Sequence, residues 1–429
     1  MALLRILLVC VVWLGVATQG TVADPLPRAR PGAEGVSVAK LAALDAHFQA
    51  YVDKGMLAGA TTLVARHGKV IHFAHYGMLN KAAGVPMTDD AIFRIYSMTK
   101  PITGVALMML YEEGRFKLSD PVSKYLPEFA HARVYKATDK DGTVETVAAD
   151  RPITILDLMR HTAGLTYGVF GNTPVDKLYR ANGVTDFNQT LGQWTKKIAA
   201  EPLLYQPGKR WVYSFAVDVQ GRLVEVLSGM TLDQFFKKRI FEPLGMKDTG
   251  FAATGDRAAR LAEIYAVDAK THALAAYRGN LYQDFTKQPV LFSGGGGLVS
   301  TAADYWRFCQ MLLNGGELNG VRLLKPATVR LMATNHLPEG LKGIHEGKAG
   351  LGFGLDFAVV KDPGKQGHGA RKGEFFWGGM ANTIFWIDPK SDLIAIMMTN
   401  VLPSDVYPLR DDMRQYVYDA LEPATATAR

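Results

Sequence analysis

Three short stretches of this 429-residue chain carry side chains that could do chemistry together. The first is Tyr96-Ser97-Met98-Thr99-Lys100-Pro101. Ser97 and Lys100 are three apart, and positions three apart share one face of a helix. Pro101 places the pair at a helix start, because proline is tolerated where backbone N–H groups lack partners inside the helix. Behind it, Ile102, Val105, Ala106, Met109 and Leu110 form an apolar stripe that Gly114 ends. The spacing predicts Ser97 at the positive end of a helix, where the dipole favours an alkoxide. A buried lysine can lose its proton near neutrality and serve as the base that a hydroxyl nucleophile needs. The bland alternative is an N-cap serine beside a surface lysine, and the spacing alone does not separate the two.

The second stretch is Trp211-Val212-Tyr213-Ser214-Phe215-Ala216. It follows a Pro207-Gly208 turn and precedes an amphipathic helix bearing Leu223, Val226 and Leu227. A tyrosine at such a junction is usually a core filler, but it can shuttle a proton beside a cation. The third is Glu374-Phe375-Phe376-Trp377-Gly378-Gly379-Met380. Gly378 and Gly379 end an apolar strand and would allow close backbone approach to a ligand. The Met380 N–H just beyond could point at a developing oxyanion. A β-bulge is the plainer reading of the same glycines.

The elements that must position these residues are legible in outline. Residues 40–54 read as a helix, with Leu41, Leu44, Phe48 and Tyr51 at helical spacing. Residues 61–65 and 70–76 read as a hairpin around His67-Gly68-Lys69. From roughly 100 to 285 the chain is mostly helical and loop-like, with a polar excursion at 135–150 centred on Asp141-Gly142. Strands return at 352–360, 374–377, 383–387 and 393–399, and a helix closes the chain from about 406 to 421. The expected class is α+β. The N-terminal hairpin and the C-terminal strands complete one antiparallel sheet flanked by helices. The helical middle packs on it and leaves a cleft at the join.

Composition narrows the function classes. Hydrophobic residues at 48% exclude a disordered chain. Forty-eight basic against 41 acidic residues, with no basic run, offer no stripe for nucleic acid. Arg5, the apolar run 6–17 and Thr21-Val22-Ala23 have the form of a signal peptide over residues 1–23. The run is too short for a membrane span of about 20 residues, although an uncleaved anchor is the alternative. The expectation is an exported chain, periplasmic or secreted, with residues 24–429 as one domain and no stable membrane span. Removing Cys10 with the signal leaves Cys309 alone, in an apolar helical pattern that reads as a buried spectator.

Neither a metal nor a cofactor is expected. His72 and His75 lie three apart on a predicted strand and face opposite sides, which with His67 is poor ligand geometry. His161 reads as a structural hydrogen-bonder. There is no Gly-x-Ser-x-Gly elbow, and Gly294–Gly297 lacks a following Lys-Ser/Thr, so it reads as a flexible turn near the cleft.

In this order, the three stretches resemble the serine β-lactamase and penicillin-binding protein superfamily, most of all class C β-lactamases and family VIII carboxylesterases. Segments 120–127, 158–165 and 294–304 support the resemblance, which spans roughly residues 35–420. It implies a β-lactamase-like fold, with Ser97 as acylated nucleophile and Lys100 accepting or shuttling its proton. It also implies Tyr213 as general base, and the N–H groups of Ser97 and Met380 as oxyanion hole. Two departures stand out. Phe215 occupies the place of an asparagine that would bind a β-lactam carbonyl. Trp377-Gly378-Gly379 replaces Lys-Thr-Gly and its cation. An indole there favours a neutral apolar group. The resemblance therefore implies a carboxylesterase on small or short-chain esters, with Trp377, Gly378, Gly379 and Phe215 at the substrate. On that basis Phe215→Asn is expected to raise β-lactam acylation. The alternatives are a β-lactamase, a D-aminopeptidase, a D,D-peptidase, an acyltransferase or a non-enzymatic scaffold. In each enzymatic case the partner is a small-molecule ester or amide.

Overall fold

Helix α1 (Val38–Asp53) starts at Ser37, whose hydroxyl accepts the Lys40 N–H, and it buries Leu41, Leu44 and Phe48. Strands β1 (Gly59–Arg66) and β2 (Lys69–Asn80) follow as a hairpin. His67 at φ 52° and Gly68 at φ 73° form its two-residue turn, the left-handed pair that matches strand twist. The computed structural model describes residues 26–268, 270–279, 283–341, 343–344, 350–365 and 369–422. The expected signal segment 1–23, with Cys10, lies outside the described residues.

Among the described residues the main sheet has eight strands and is antiparallel throughout. After β2 come the short β3 (Val85–Pro86), then β4 (Arg133–Thr138) and β5 (Val144–Ala148), which pair with each other away from the sheet. The C-terminal strands are β6 (Leu351–Phe353), β7 (Ala358–Val360), β8 (Phe375–Gly378), β9 (Ile384–Asp388) and β10 (Leu393–Thr399). The sheet order is β6-β7-β8-β9-β10-β1-β2-β3, so both ends of the chain meet where β10 pairs with β1, Ile396 opposite Leu63. This is the expected α+β arrangement.

All seven residues of β10 are buried because helices cover both faces. Ile394, Ile396 and Met398 join the core under α2 (Thr99–Glu112) and α5 (Ala302–Leu313). Leu393, Ala395 and Met397 join the core under α1 and α6 (Leu409–Ala420). Alternate residues point to opposite faces of a strand, so one apolar run supplies both cores. Helix α2 is buried from Thr99 to Leu110, which suits a helix lodged between the sheet and the middle region. That region contains α3 (Ile155–Met159), two helices at Pro174–Ala181 and Leu191–Ala200, and α4 (Ala216–Ser228), which packs on α2.

Two local expectations differ from what is observed. The strand expected over 352–360 is two strands, β6 and β7, reversed through a turn in which Asp356 adopts φ 64°. Leu355 and Phe357 in that turn are fully buried, so an unbroken apolar run disguised a reversal. The excursion at 135–150 is, as Asp141-Gly142 predicts, an exposed hairpin, β4–β5, with Gly142 at φ 85° in its tip. Val226, expected on the apolar face of α4, is 41% exposed.

Candidate active site

Ser97 lies in a single 3-10 turn, Tyr96–Met98, that leads directly into α2. The turn is pinned from two sides. Tyr305 donates its hydroxyl to the Met98 carbonyl at 2.9 Å, and Ile95 N–H bonds Leu298 O at 3.1 Å. Tyr96, just before the nucleophile candidate, has φ 41°, a conformation rare for a bulky residue. Pro101 falls in the first turn of α2, as expected.

Lys100 is fully buried. Its Nζ donates to Ser97 Oγ at 3.1 Å, to Tyr167 Oη at 3.1 Å and to the Gly295 carbonyl at 2.6 Å. Tyr213 donates its hydroxyl to Ser97 Oγ at 2.6 Å. Nζ also lies 4.7 Å from the centre of the Tyr213 ring. One serine oxygen thus receives a phenol and an amine, either of which could carry its proton away.

Tyr213 is held by aromatic rings. Trp211 stacks on it at 6.2 Å, and His161, Tyr167 and Trp377 lie at 5.1, 5.2 and 5.5 Å. His161 is buried, with Nδ1 3.2 Å from Ser214 Oγ. The loop that carries it is anchored by Asp157, which binds Arg151, Arg160, Thr154 and Thr162. Burial alone would raise the Asp157 carboxyl, but Arg151, Thr154 and Arg160 hold it at about 2.

Ser97 and Tyr213 open into a cleft of about 510 Å³. Phe170, Ile344, Leu351, Val360, Trp377 and Met380 supply apolar wall, and Gly378 and Gly379 line it too. The glycines permit an approach to the protein's own backbone. A Cβ on Gly379 would lie 2.4 Å from Ile95 O, and one on Gly378 would lie 2.8 Å from Thr383 O. Gly379 must lack a side chain for the β8 end to pack against the Ser97 turn, and Gly378 must lack one to pass Thr383 and Arg410. Among the described residues, the Met380 N–H bonds no protein acceptor.

Phe215 is a correction. Expected at the substrate, it is 1% exposed and does not line the cleft. Its ring lies among Tyr167 at 4.4 Å, Trp194 at 5.4 Å and Tyr179 at 6.5 Å. It occupies the N-cap of α4, and the apolar pull of these rings turns it into the core.

Three residues at the site escaped the sequence reading. Tyr167 carries no motif spacing. Burial pushes its phenol well above the usual tyrosine range, with Tyr213 and Asp218 adding to the shift. Asp218 did leave a signal, a carboxylate inside Phe215-Ala216-Val217-Asp218-Val219. It is buried, and burial raises its carboxyl against the opposing effects of Ser293, Lys100 and Gly295. Arg410 reaches the cleft from α6 and donates to the Gly379 carbonyl at 2.5 Å. Burial pulls its guanidinium down to about 10, although Tyr213 opposes the shift. A cation therefore stands behind the glycine pair even though the motif lacks one.

The histidines do not converge. His67 bonds Glu34 at 2.8 Å, His72 bonds Thr62 at 2.9 Å and His75 bonds Asp89 at 2.9 Å. Among the described residues no group of three His, Cys, Asp or Glu side chains is placed to hold a metal ion. No described helix is long and apolar enough to cross a membrane. Cys309 is fully buried, and burial pushes its thiol well up.

Comparison with known proteins gives the family and the fold. The beta-lactamase family model matches residues 44–419. An uncharacterized protein of Mycobacterium tuberculosis is 38% identical over 82% of this chain and 88% of its own length. Esterase EstB of Burkholderia gladioli is 31% identical over 90% of this chain and 98% of its own. Among solved structures, EstCE1, a hydrolase with promiscuous acyltransferase activity, superposes with a TM-score of 0.74. It is 28% identical and the match covers 89% of this chain and 99% of that one. The chain belongs to the beta-lactamase family and is a serine hydrolase of the β-lactamase and penicillin-binding protein superfamily.

Proposed function

We propose that this protein is an exported carboxylesterase that cleaves small or short-chain esters through an acyl-enzyme on Ser97. The observation that carries the reading is the meeting of Tyr213 Oη and Lys100 Nζ on Ser97 Oγ at 2.6 and 3.1 Å, at the foot of a cleft with an apolar wall beside Arg410, Asp411 and Arg414. Ser97 attacks the ester carbonyl while its proton passes to the Lys100–Tyr213 pair. The N–H groups of Ser97 and Met380 receive the oxyanion. The alkoxide leaves with that proton, and water then attacks the acyl-enzyme and releases the acid. Trp377 and its apolar neighbours supply the surface for an uncharged acyl or alcohol group. Arg410 is engaged by the Gly379 carbonyl, which supports its role as a brace for the strand end. Export rests on Arg5, the apolar run 6–17 and the small residues at 21–23.

A second outcome of the same acyl-enzyme is transfer to an alcohol. The acyltransferase activity named for EstCE1 favours keeping it in view. The test is turnover of p-nitrophenyl butyrate against a chromogenic cephalosporin, with intact-mass detection of a phosphonate adduct. The expected result is rapid ester turnover, and an adduct that Ser97→Ala abolishes. Cephalosporin turnover without ester turnover would overturn the ester reading. An adduct that persists in Ser97→Ala would overturn the nucleophile. A transfer ester formed when an alcohol competes with water would establish the second outcome.

A further inference from the structure

The Lys100 amine has three oxygens around it, and they are not equivalent. Gly295 O is a fixed acceptor, and Ser97 Oγ faces the cleft. Tyr167 Oη can accept or donate, and nothing in the reaction described above uses it. Its ring is clamped by Phe215 at 4.4 Å, Phe170 at 4.9 Å and Tyr213 at 5.2 Å. Asp218 stands behind it. Asp218 Oδ1 accepts from Ser293 Oγ at 2.5 Å and from Gly295 N–H at 3.1 Å, so it also anchors the residue whose carbonyl holds Lys100. Asp218 Oδ2 is buried and has no partner among the described residues. A Cβ on Gly295 would lie 2.4 Å from Asp218 Oδ2 and 3.2 Å from Tyr167 Oη, so both oxygens border one gap that glycine keeps open.

We propose that Tyr167, backed by Asp218, is a positioning residue that holds the Lys100 amine in register with Ser97 and stabilises its ammonium form. The proposal rests on the reading of Ser97 as nucleophile. When Nζ receives a proton, from Ser97 directly or through Tyr213, it holds three hydrogens. They face Gly295 O, Tyr167 Oη and the Ser97 oxygen. Tyr167 keeps its own proton, which turns away from Nζ into the gap beside Asp218 Oδ2. No bond to Tyr167 forms or breaks. The other groups facing Lys100 are the Tyr213 ring from the loop before α4 and Asp356 from the β6–β7 turn. Asp356 is engaged by Gln220 Nε2 at 3.0 Å.

The test uses the full chain carrying Tyr167→Phe or Asp218→Asn. Turnover of p-nitrophenyl butyrate is measured between about pH 5 and 9, alongside the rate of phosphonate labelling. Tyr167→Phe is expected to lower kcat about 10- to 100-fold, the loss of one hydrogen bond to a charged group. KM is expected to stay within about threefold. The acid limb of kcat/KM moves to lower pH, because the ammonium form has lost an acceptor. Asp218→Asn keeps the Oδ1 acceptor and removes the charge, so it moves the limb the same way. If Tyr167→Phe does not fold, as judged by thermal melting, Asp218→Asn decides alone. A fall in kcat with an unmoved acid limb marks a structural role and overturns the proposal. So does a wild type labelled at Ser97 whose variants label as fast. A wild type that never labels at Ser97 overturns the nucleophile reading and this proposal with it.

Discussion

Gly379→Ala probes the join between the strand end and the nucleophile turn. The new Cβ would lie 2.3 Å from Thr383 Oγ1 and 2.4 Å from Ile95 O. Ordinary contact begins near 3.4 Å, so something must move by about 1 Å. The Thr383 hydroxyl can rotate away. The Ile95 carbonyl cannot, because it accepts the Met98 N–H at 2.9 Å and so opens the turn that carries Ser97. The displacement must fall on the Ser97 turn or on the Met380 N–H. A 1 Å misplacement costs about 100-fold, and the loss of one oxyanion donor costs about 100- to 1000-fold. The expected loss in kcat is therefore about 100- to 1000-fold, or about 3–4 kcal/mol, with KM little changed. The assay is p-nitrophenyl butyrate hydrolysis on protein whose melting temperature shows that it folds. Gly32→Ala, where a Cβ would meet nothing within 4 Å, is the neutral control. A Gly379→Ala enzyme that keeps kcat within about threefold would refute the placing of an oxyanion donor at Met380.

Tyr213→Phe removes the oxygen 2.6 Å from Ser97 and keeps the ring among Trp211, His161 and Trp377. Ester turnover should fall about 100- to 10,000-fold with a nearly unchanged melting temperature, and retained turnover would remove Tyr213 from the proton path. Phe215→Asn should not create a β-lactam contact. It should destabilise the fold by about 3–5 kcal/mol in denaturant titration, because it empties a ring-lined core site and buries an amide. Asp157 sits at about 2, below its unfolded value near 4, so the sign is that of a depressed carboxyl. Its contribution of about 2 kcal/mol is complete above about pH 4 and drains away as pH falls toward 2. Melting temperatures of the wild type and Asp157→Asn should differ at neutral pH and converge in acid; a constant gap would show that the charge is not responsible.

The pairing of Ser97 with Lys100 was readable because it is local. Three residues along one helix turn face the same way whatever surrounds them, and Pro101 announces the start of that helix. The β1–β2 hairpin and the bounds of β10 were readable for the same reason, since turn residues and apolar runs act over a few positions. Phe215 was not. At a helix N-cap the direction of a side chain depends on what waits nearby, and here Tyr167, Trp194 and Tyr179 outcompeted the cleft. The β6–β7 reversal was hidden because Leu355 and Phe357 are as apolar as the strands beside them, and only packing forced Asp356 into a left-handed turn.

By itself the order of residues determined which groups could react and where the N- and C-terminal strands lie along the chain. Covalent spacing and apolar periodicity act over a few residues and survive without a fold. Only the tertiary structure decided what stands around the amine: Tyr167, Gly295 and Asp218, drawn from segments 67, 195 and 118 residues away along the chain. Arg410 behind the glycine pair is a further instance. Such neighbours are chosen by the burial of both faces of the sheet, a free energy shared by the whole chain and written in no single stretch of it.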